Sequence, residues 1–310
     1  MTPSFVCIGG ATLDRAFRLA APLLLATSNP AAGRTGFGGV ARNVAHGLVR
    51  LGHEVALVSR VGDDAGGEAL LRHLDAAGIG RRGVAAVPGA ATAEYVAVLT
   101  PGGELALGLA AMAVLDGLTP EALDREAALI AGADWLFADC NLPADTLVAL
   151  AGRRWGGASR LAVDAVSVAK SARLPAGLAG IDLLFVNRDE AAALLARRGC
   201  SETEPRAMAA ALVSAGAGAA VLTLGAAGAI AAGPEGLDHV PAEPAAVVDV
   251  TGAGDALVAA TLAGLASGLP LAAAVGRGCA AAARAVAVPM ATGDGSTAGA
   301  AARGGGSQKR

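Results

Sequence analysis

Short apolar runs ending in small or acidic residues recur at 5–10, 55–61, 135–139, 160–164, 183–187 and 219–225. Each has the length of a buried strand, and the runs recur between longer stretches with helical spacing. The intervening helices are predicted over 41–51, 66–77, 120–131, 188–197, 204–215 and 255–267. One of them opens on Thr119-Pro120, with proline at the first helical position, where its missing N–H costs nothing. This alternation predicts an α/β fold, a three-layer sandwich with helices on both faces of a mainly parallel sheet. Two stretches break the rhythm, 13–37 and 92–109, the second folded about Pro101-Gly102-Gly103. They read as strands of a small β-lid added to the sheet. One principal domain is expected over 1–292, followed by a Gly-, Ser- and Ala-rich flexible tail over 293–310.

Composition narrows the class. The 310 residues are 54% hydrophobic and 16% charged, with 44 glycines, which suits a globular chain with many tight turns. The uncharged runs 207–233 and 257–275 are punctured by glycines, so strand-turn-strand and a buried helix account for them better than membrane spans. The opening run 5–10 ends in Gly-Gly with no basic segment before it and reads as a first strand, not a signal peptide. A net charge of −3 with scattered arginines offers no basic stripe for a nucleic-acid polymer. Cys7, Cys140, Cys200 and Cys279 lie too far apart in sequence for a zinc or dithiol motif. Reduced thiols in a cytoplasmic protein are the expectation. There is no internal repeat.

The candidate chemistry centres on Asp249-Val250-Thr251-Gly252-Ala253-Gly254-Asp255, directly before a helical run. Glycines ahead of a helix leave backbone N–H groups aimed at one point, and the helix dipole adds positive potential there, which makes an anion site. A carboxylate in the first turn would repel that anion unless it had a task of its own. Phosphoryl transfer supplies one: Asp255 accepts the proton of an attacking hydroxyl while the amides of Gly252, Ala253 and Gly254 stabilise the transferring group. Plain helix capping is the alternative for Asp255. A second glycine pair, Gly38-Gly39, precedes Val40-Ala41-Arg42-Asn43, where a backbone can approach a ligand or simply turn into a helix. No Walker A lysine motif is present.

Gly9-Gly10 with Asp14, the GGVARN stretch, Asn187-Arg188-Asp189-Glu190, Thr223-Leu224-Gly225 and DVTGAGD stand in an order that resembles the ribokinase-like (PfkB) kinases. The resemblance runs from Phe5 to about Met290 and implies a ribokinase-like sandwich using ATP and Mg2+. It implies that Asp14, Gly38, Gly39 and Asn43 hold the sugar and that Asp255 is the base. Asn187 and Glu190 would organise magnesium and its waters, and Glu190 as a solvated helix charge is the alternative. Asn187, Thr223 and Gly225 would lie along the nucleotide. Asp249 and Thr251 resemble a loop that binds a monovalent cation such as K+ in many members.

Within the family, Asp164-Ala165-Val166-Ser167-Val168-Ala169-Lys170, Ser28-Asn29-Pro30, and Asp139 with Asn141-Leu142 resemble segments of pseudouridine kinases. Ser28, Asn29 and Lys170 are then substrate-binding candidates. Thr12, Ala165, Val186 and Ala31-Ala32 depart from that pattern. Lys170 is also one of only two lysines, the other being Lys309, so a chain that otherwise uses arginine keeps a compact ammonium there. Tyr95, the only tyrosine, could cover a base from the lid or simply pack. The implied reaction is 5′-phosphorylation of pseudouridine. Another nucleoside or sugar as acceptor, or a non-catalytic nucleoside-binding protein, are the alternatives. Lid strands with an exposed apolar face commonly pair between subunits, so a homodimer through the lid is expected.

Overall fold

The structure is a computed structural model that describes residues 4–153, 155 and 159–288. The predicted tail lies outside the described residues. The main sheet is built from β1 (Ser4–Ile8), β4 (Glu54–Gly62), β5 (Gly80–Val87), β8 (Trp135–Asp139), β9 (Arg160–Asp164), β10 (Leu183–Asn187), β11 (Ala220–Thr223), β12 (Ala229–Gly233) and β13 (Gly236–Val240). The smaller sheet holds β2 (Thr12–Leu19), β3 (Ala31–Gly38), β6 (Glu94–Leu99) and β7 (Leu105–Ala111).

Strand order in the main sheet is β13-β12-β11-β10-β9-β8-β1-β4-β5. Pairing is parallel from β5 to β11 and antiparallel only at the β11-β12-β13 end. Alternate side chains leave opposite faces, as a strand requires. From β1, Val6 and Ile8 enter one core with Leu123, Leu147, Leu194 and Leu212 from the helices of that side. Phe5 and Cys7 enter the other with Leu48, Leu70, Leu262 and Val275. Burial on both faces is why the inner strands read as nearly unbroken apolar runs.

The predicted strands and helices are present within a residue or two at their ends, with one exception. The helix expected over 120–131 is two pieces, Pro120–Arg125 and Ala127–Ala131, with a break at Glu126. The edge strand β5 and the helices Ala144–Gly152 and Leu271–Val286 are not among the predicted elements. Among the described residues no helix is long and apolar enough to cross a membrane, and the four cysteines are free.

The lid has order β3-β2-β6-β7. Register pairs Asp14 with both Gly36 and Tyr95, and Ala16 with Arg34, so these positions share one face. On β7, Leu105, Leu107 and Leu109 are exposed. The chain reverses its direction of strand addition at β1, and the carboxyl ends of β1, β8, β9, β10 and β11 carry Gly9-Gly10, Asp139, Asp164, Asn187 and Thr223. A crevice at such a reversal is the ligand position of open parallel sheets.

Candidate active site

Gly252 opens the helix Ala253–Ala266 in the left-handed conformation, φ 78°, and no side chain caps that end. A Cβ on Gly254 would meet open space, so its small size leaves room in front of the helix without serving any internal contact. Asp255 stands in the first turn and accepts a hydrogen bond of 2.6 Å from the Nδ2 of Asn43. That bond depends on how closely two helices approach. One turn along each, a Cβ on Gly47 would lie only 2.7 Å from the Cβ of Ala259, so the absence of a side chain at 47 allows the contact.

Arg42 adds a charge that the sequence pattern did not single out, though it sits inside GGVARN. It is only 6% exposed, and its guanidinium donates to the carbonyls of Gly38 and Phe37 and to the side-chain oxygen of Asn43. Burial lowers its pKa to about 10, opposed by the charges of Asp14 and Asp255. Asp255 responds in the other sense. Burial raises its carboxyl to about 6, against the hydrogen bond from Asn43 and the charge of Arg42. A carboxylate poised there is ionised at neutral pH yet more basic than an exposed aspartate.

Asp14 accepts from the Thr12 hydroxyl at 2.7 Å. Burial raises its pKa, while Thr12 and Arg42 oppose that rise. A Cβ on Gly38 would overlap the Asp14 carboxylate, and Gly39, at φ 91°, passes the carbonyl of Gly10. Gly38→Ala is therefore expected to displace Asp14 and raise KM for the phosphoryl acceptor by about tenfold, the loss of roughly one good hydrogen bond. Steady-state kinetics check it; an unchanged KM would remove Asp14 from the acceptor site.

Beneath these groups lies Asp139, fully buried. Its carboxylate accepts from the N–H groups of Gly10 at 2.9 Å, Ala41 at 2.8 Å and Asn141 at 2.9 Å. Burial raises its pKa and those three amides oppose the rise. A Cβ on Gly9 would sit 2.5 Å from this carboxyl, which explains Gly9-Gly10. Beside it, Asp164 accepts from the Val166 N–H at 2.7 Å, and Ser167 N–H bonds the Ala165 carbonyl at 2.7 Å. Val166 has φ 67°, rare for a β-branched residue and worth on the order of 1–3 kcal/mol of strain. The turn delivers Lys170, whose ammonium donates to the side-chain oxygen of Asn141. Arg173 holds the same segment through the carbonyls of Asn141 at 2.7 Å and Leu142 at 3.2 Å.

Asn187 and Thr223 are register partners on β10 and β11. Both line a hollow of about 430 Å³ with Arg188, Asp189, Pro205 and Leu224, and Gly225 follows in the left-handed conformation, φ 58°. Asn187 and Glu190 form a reciprocal cap. The Asn187 side-chain oxygen accepts from Glu190 N–H at 2.9 Å, and Glu190 accepts from the backbone and side-chain N–H groups of Asn187, each at 2.8 Å. Glu190 is buried, so it is not a solvated helix charge. Among the described residues no group of three or more His, Cys, Asp or Glu side chains is arranged to hold a metal.

A cavity of about 610 Å³ separates the lid's inner face from the loop before the helix Ala253–Ala266; Asp14, Arg34, Tyr95, Asp249 and Thr251 line it. Ser28 and Asn29 are not among its lining residues. Ser28 is exposed at the tip of the β2-β3 hairpin, and the Asn29 amide is engaged with the backbone of Leu24 and Thr27.

The sequence matches the description "pfkB family carbohydrate kinase" over residues 3–297. The chain belongs to the PfkB family. It is a sugar or nucleoside kinase, a phosphotransferase with an alcohol group as acceptor. It is 31% identical over 277 residues to the pseudouridine kinase of Escherichia coli, covering 88% of each chain. An uncharacterized sugar kinase of the same organism, YeiI, is 37% identical over 120 residues, 39% of this chain and only 33% of that protein. A solved carbohydrate kinase from Agrobacterium tumefaciens superposes with a TM-score of 0.79 at 34% identity, over 94% of this PfkB chain and 92% of the other.

Proposed function

We propose that this PfkB kinase transfers the γ-phosphoryl group of ATP to the 5′-hydroxyl of pseudouridine. The observation that carries the chemistry is the Asn43–Asp255 contact at an uncapped helix start, with Asp255 held at about 6. Asp255 takes the hydroxyl proton as the oxygen forms its bond to the γ-phosphorus and the bond to the departing ADP breaks. The first-turn amides of the helix, with Gly254 leaving the approach open, face the negative charge that spreads over the transferring group. Asp14, beside Gly38 and Gly39, orients the ribose, and the hollow beside Asn187, Thr223 and Gly225 suits the nucleotide.

Magnesium neutralises phosphate charge in such reactions. The capped Asn187–Glu190 pair fits an ion carried by the nucleotide and reached through water better than one held in a protein cage.

The substrate reading rests on the 31% relative and on Lys170, whose ammonium is anchored on Asn141 next to the Asp139 brace. Burial lowers the Lys170 pKa, with the charge of Asp139 opposing. Its role is to meet a carbonyl of the base. Pseudouridine carries one more ring N–H than uridine, and an acceptor built for it is left unpaired by uridine, a mismatch of about 1–3 kcal/mol. The specificity constant for pseudouridine is therefore expected to exceed that for uridine by at least roughly tenfold. Equal constants, or a preference for adenosine or ribose in a coupled ADP-release assay, would refute the substrate and leave the family.

A second copy of the chain covering Leu107 and Leu109 of the lid completes the proposal as a homodimer. The separated, unbridged cysteines are consistent with work in the cytoplasm.

A further inference from the structure

The loop leading into the catalytic helix carries a carboxylate of its own. Asp249 Oδ1 accepts from the Thr251 N–H at 2.9 Å. Its Oδ2 lies 3.2 Å from Nη2 of Arg34, a residue 215 positions away in the sequence. Arg34 comes from β3 and shares the inner face of the lid with Asp14 and Tyr95. The pair is partly shielded, with side-chain exposures of 35% for Arg34 and 17% for Asp249.

An unbalanced carboxylate at the mouth of an anion site would oppose the phosphates that the site must hold. Some positive charge has to answer it. Family resemblance points to a monovalent cation at Asp249 and Thr251, but one oxygen of the Asp249 carboxylate is already paired with a guanidinium here. A potassium ion drawn to the Asp249 carboxylate would stand in like-charge contact with the guanidinium already bonded to it. A covalently attached charge also comes with the lid, so it reaches the loop only when the lid lies over the cleft.

We infer that Arg34 is the fixed cation of the catalytic loop, replacing a dissolved monovalent ion and tying that loop to lid closure. Arg34 acts through Asp249 and is a positioning residue. Partly exposed ion pairs contribute little to folding, so its removal should act on loop placement and nucleotide binding more than on melting temperature. The role rests on the phosphoryl-transfer reading above, while the ion requirement can be read from nucleotide binding alone.

The test compares potassium with tetramethylammonium at equal ionic strength, using ADP affinity by calorimetry and turnover with pseudouridine. The wild-type protein is expected to differ by less than about twofold between the two salts. Arg34→Met is expected to lose roughly tenfold in turnover in tetramethylammonium, a modest share of what a charge near a transferring phosphoryl supplies. ADP affinity should weaken with it, and potassium should restore both in part. Arg34→Lys, which keeps a charge, should stay insensitive to potassium. Wild-type protein strongly activated by potassium overturns the inference. So does an Arg34→Met protein indistinguishable from wild type, or one slowed but not helped by potassium. If no acceptor is phosphorylated, the ADP arm still decides the ion question, so failure of the substrate reading stays distinguishable.

Discussion

Asp255→Asn is expected to cut turnover by about 10²–10⁴-fold while nucleotide and acceptor still bind, because the amide cannot take the hydroxyl proton. The wild-type pH profile belongs to the same prediction. With its carboxyl raised to about 6, Asp255 must be ionised to act as the proposed base, so kcat/KM should fall on the acid side with an apparent pKa near 6. The substitution should remove that limb from whatever activity remains. Stability should move the other way. A carboxyl whose folded pKa lies above its ordinary value of 3.8 binds its proton more tightly in the folded state. It therefore favours the fold at acid pH and loses that contribution as pH rises through about 6. At neutral pH the neutral asparagine should melt higher than wild type, by on the order of 1 kcal/mol or more. Near-native activity in the variant, or an acid limb shared by both proteins, would remove Asp255 from the base role.

Asp139→Ala is expected to damage the fold more than any substitution at the site's surface. It strips an acceptor from three buried N–H groups, those of Gly10, Ala41 and Asn141, and opens a cavity where the backbone wraps around the carboxyl. Each buried donor left unsatisfied costs about 1–3 kcal/mol, so a loss of roughly 3–5 kcal/mol is expected after local relaxation. Ala41 lies in the first turn of the helix that carries Asn43, so surviving folded protein should also lose the 2.6 Å contact with Asp255 and turn over slowly. Asp139→Asn keeps the shape and two lone pairs and should fall between wild type and alanine. Urea melts with parallel activity measurements decide it; a loss below about 1 kcal/mol for alanine would mean that water or rearranged backbone satisfies those amides.

Much of the fold is legible in the order of residues alone. The alternation of apolar runs and helical stretches places the central parallel strands correctly because strands buried on both faces have little freedom in composition. The lid shows itself as a break in that alternation. The helix Leu271–Val286 is hidden because it follows the helix Ala253–Ala266 with no strand between them to mark the alternation, and β5 because an edge strand buries only part of its length. In the site, Asp255 and the glycine pairs are marked by their spacing. Arg42 has a signal too, as the only Lys, Arg, Asp or Glu between Arg34 and Arg50, in the first turn of the helix that follows the glycine pair. Asn29 resembles a substrate contact, and nothing in its sequence neighbourhood reveals that its amide closes its own hairpin.

What the sequence determined by itself is therefore local or periodic: element type, the parallel sheet, and the glycine-rich helix start that suits an anion. Those properties follow from side-chain alternation and backbone freedom within a few residues. The tertiary structure alone decided the contacts that turn these parts into a site. Asn43 meets Asp255 across 212 positions, Asp139 meets Ala41 across 98, and Arg34 meets Asp249 across 215. Such pairings depend on packing distances such as the Gly47–Ala259 approach and on the burial that lifts Asp255 to about 6. Neither can be read from residue order, because burial and charge proximity are properties of the folded arrangement and not of any segment.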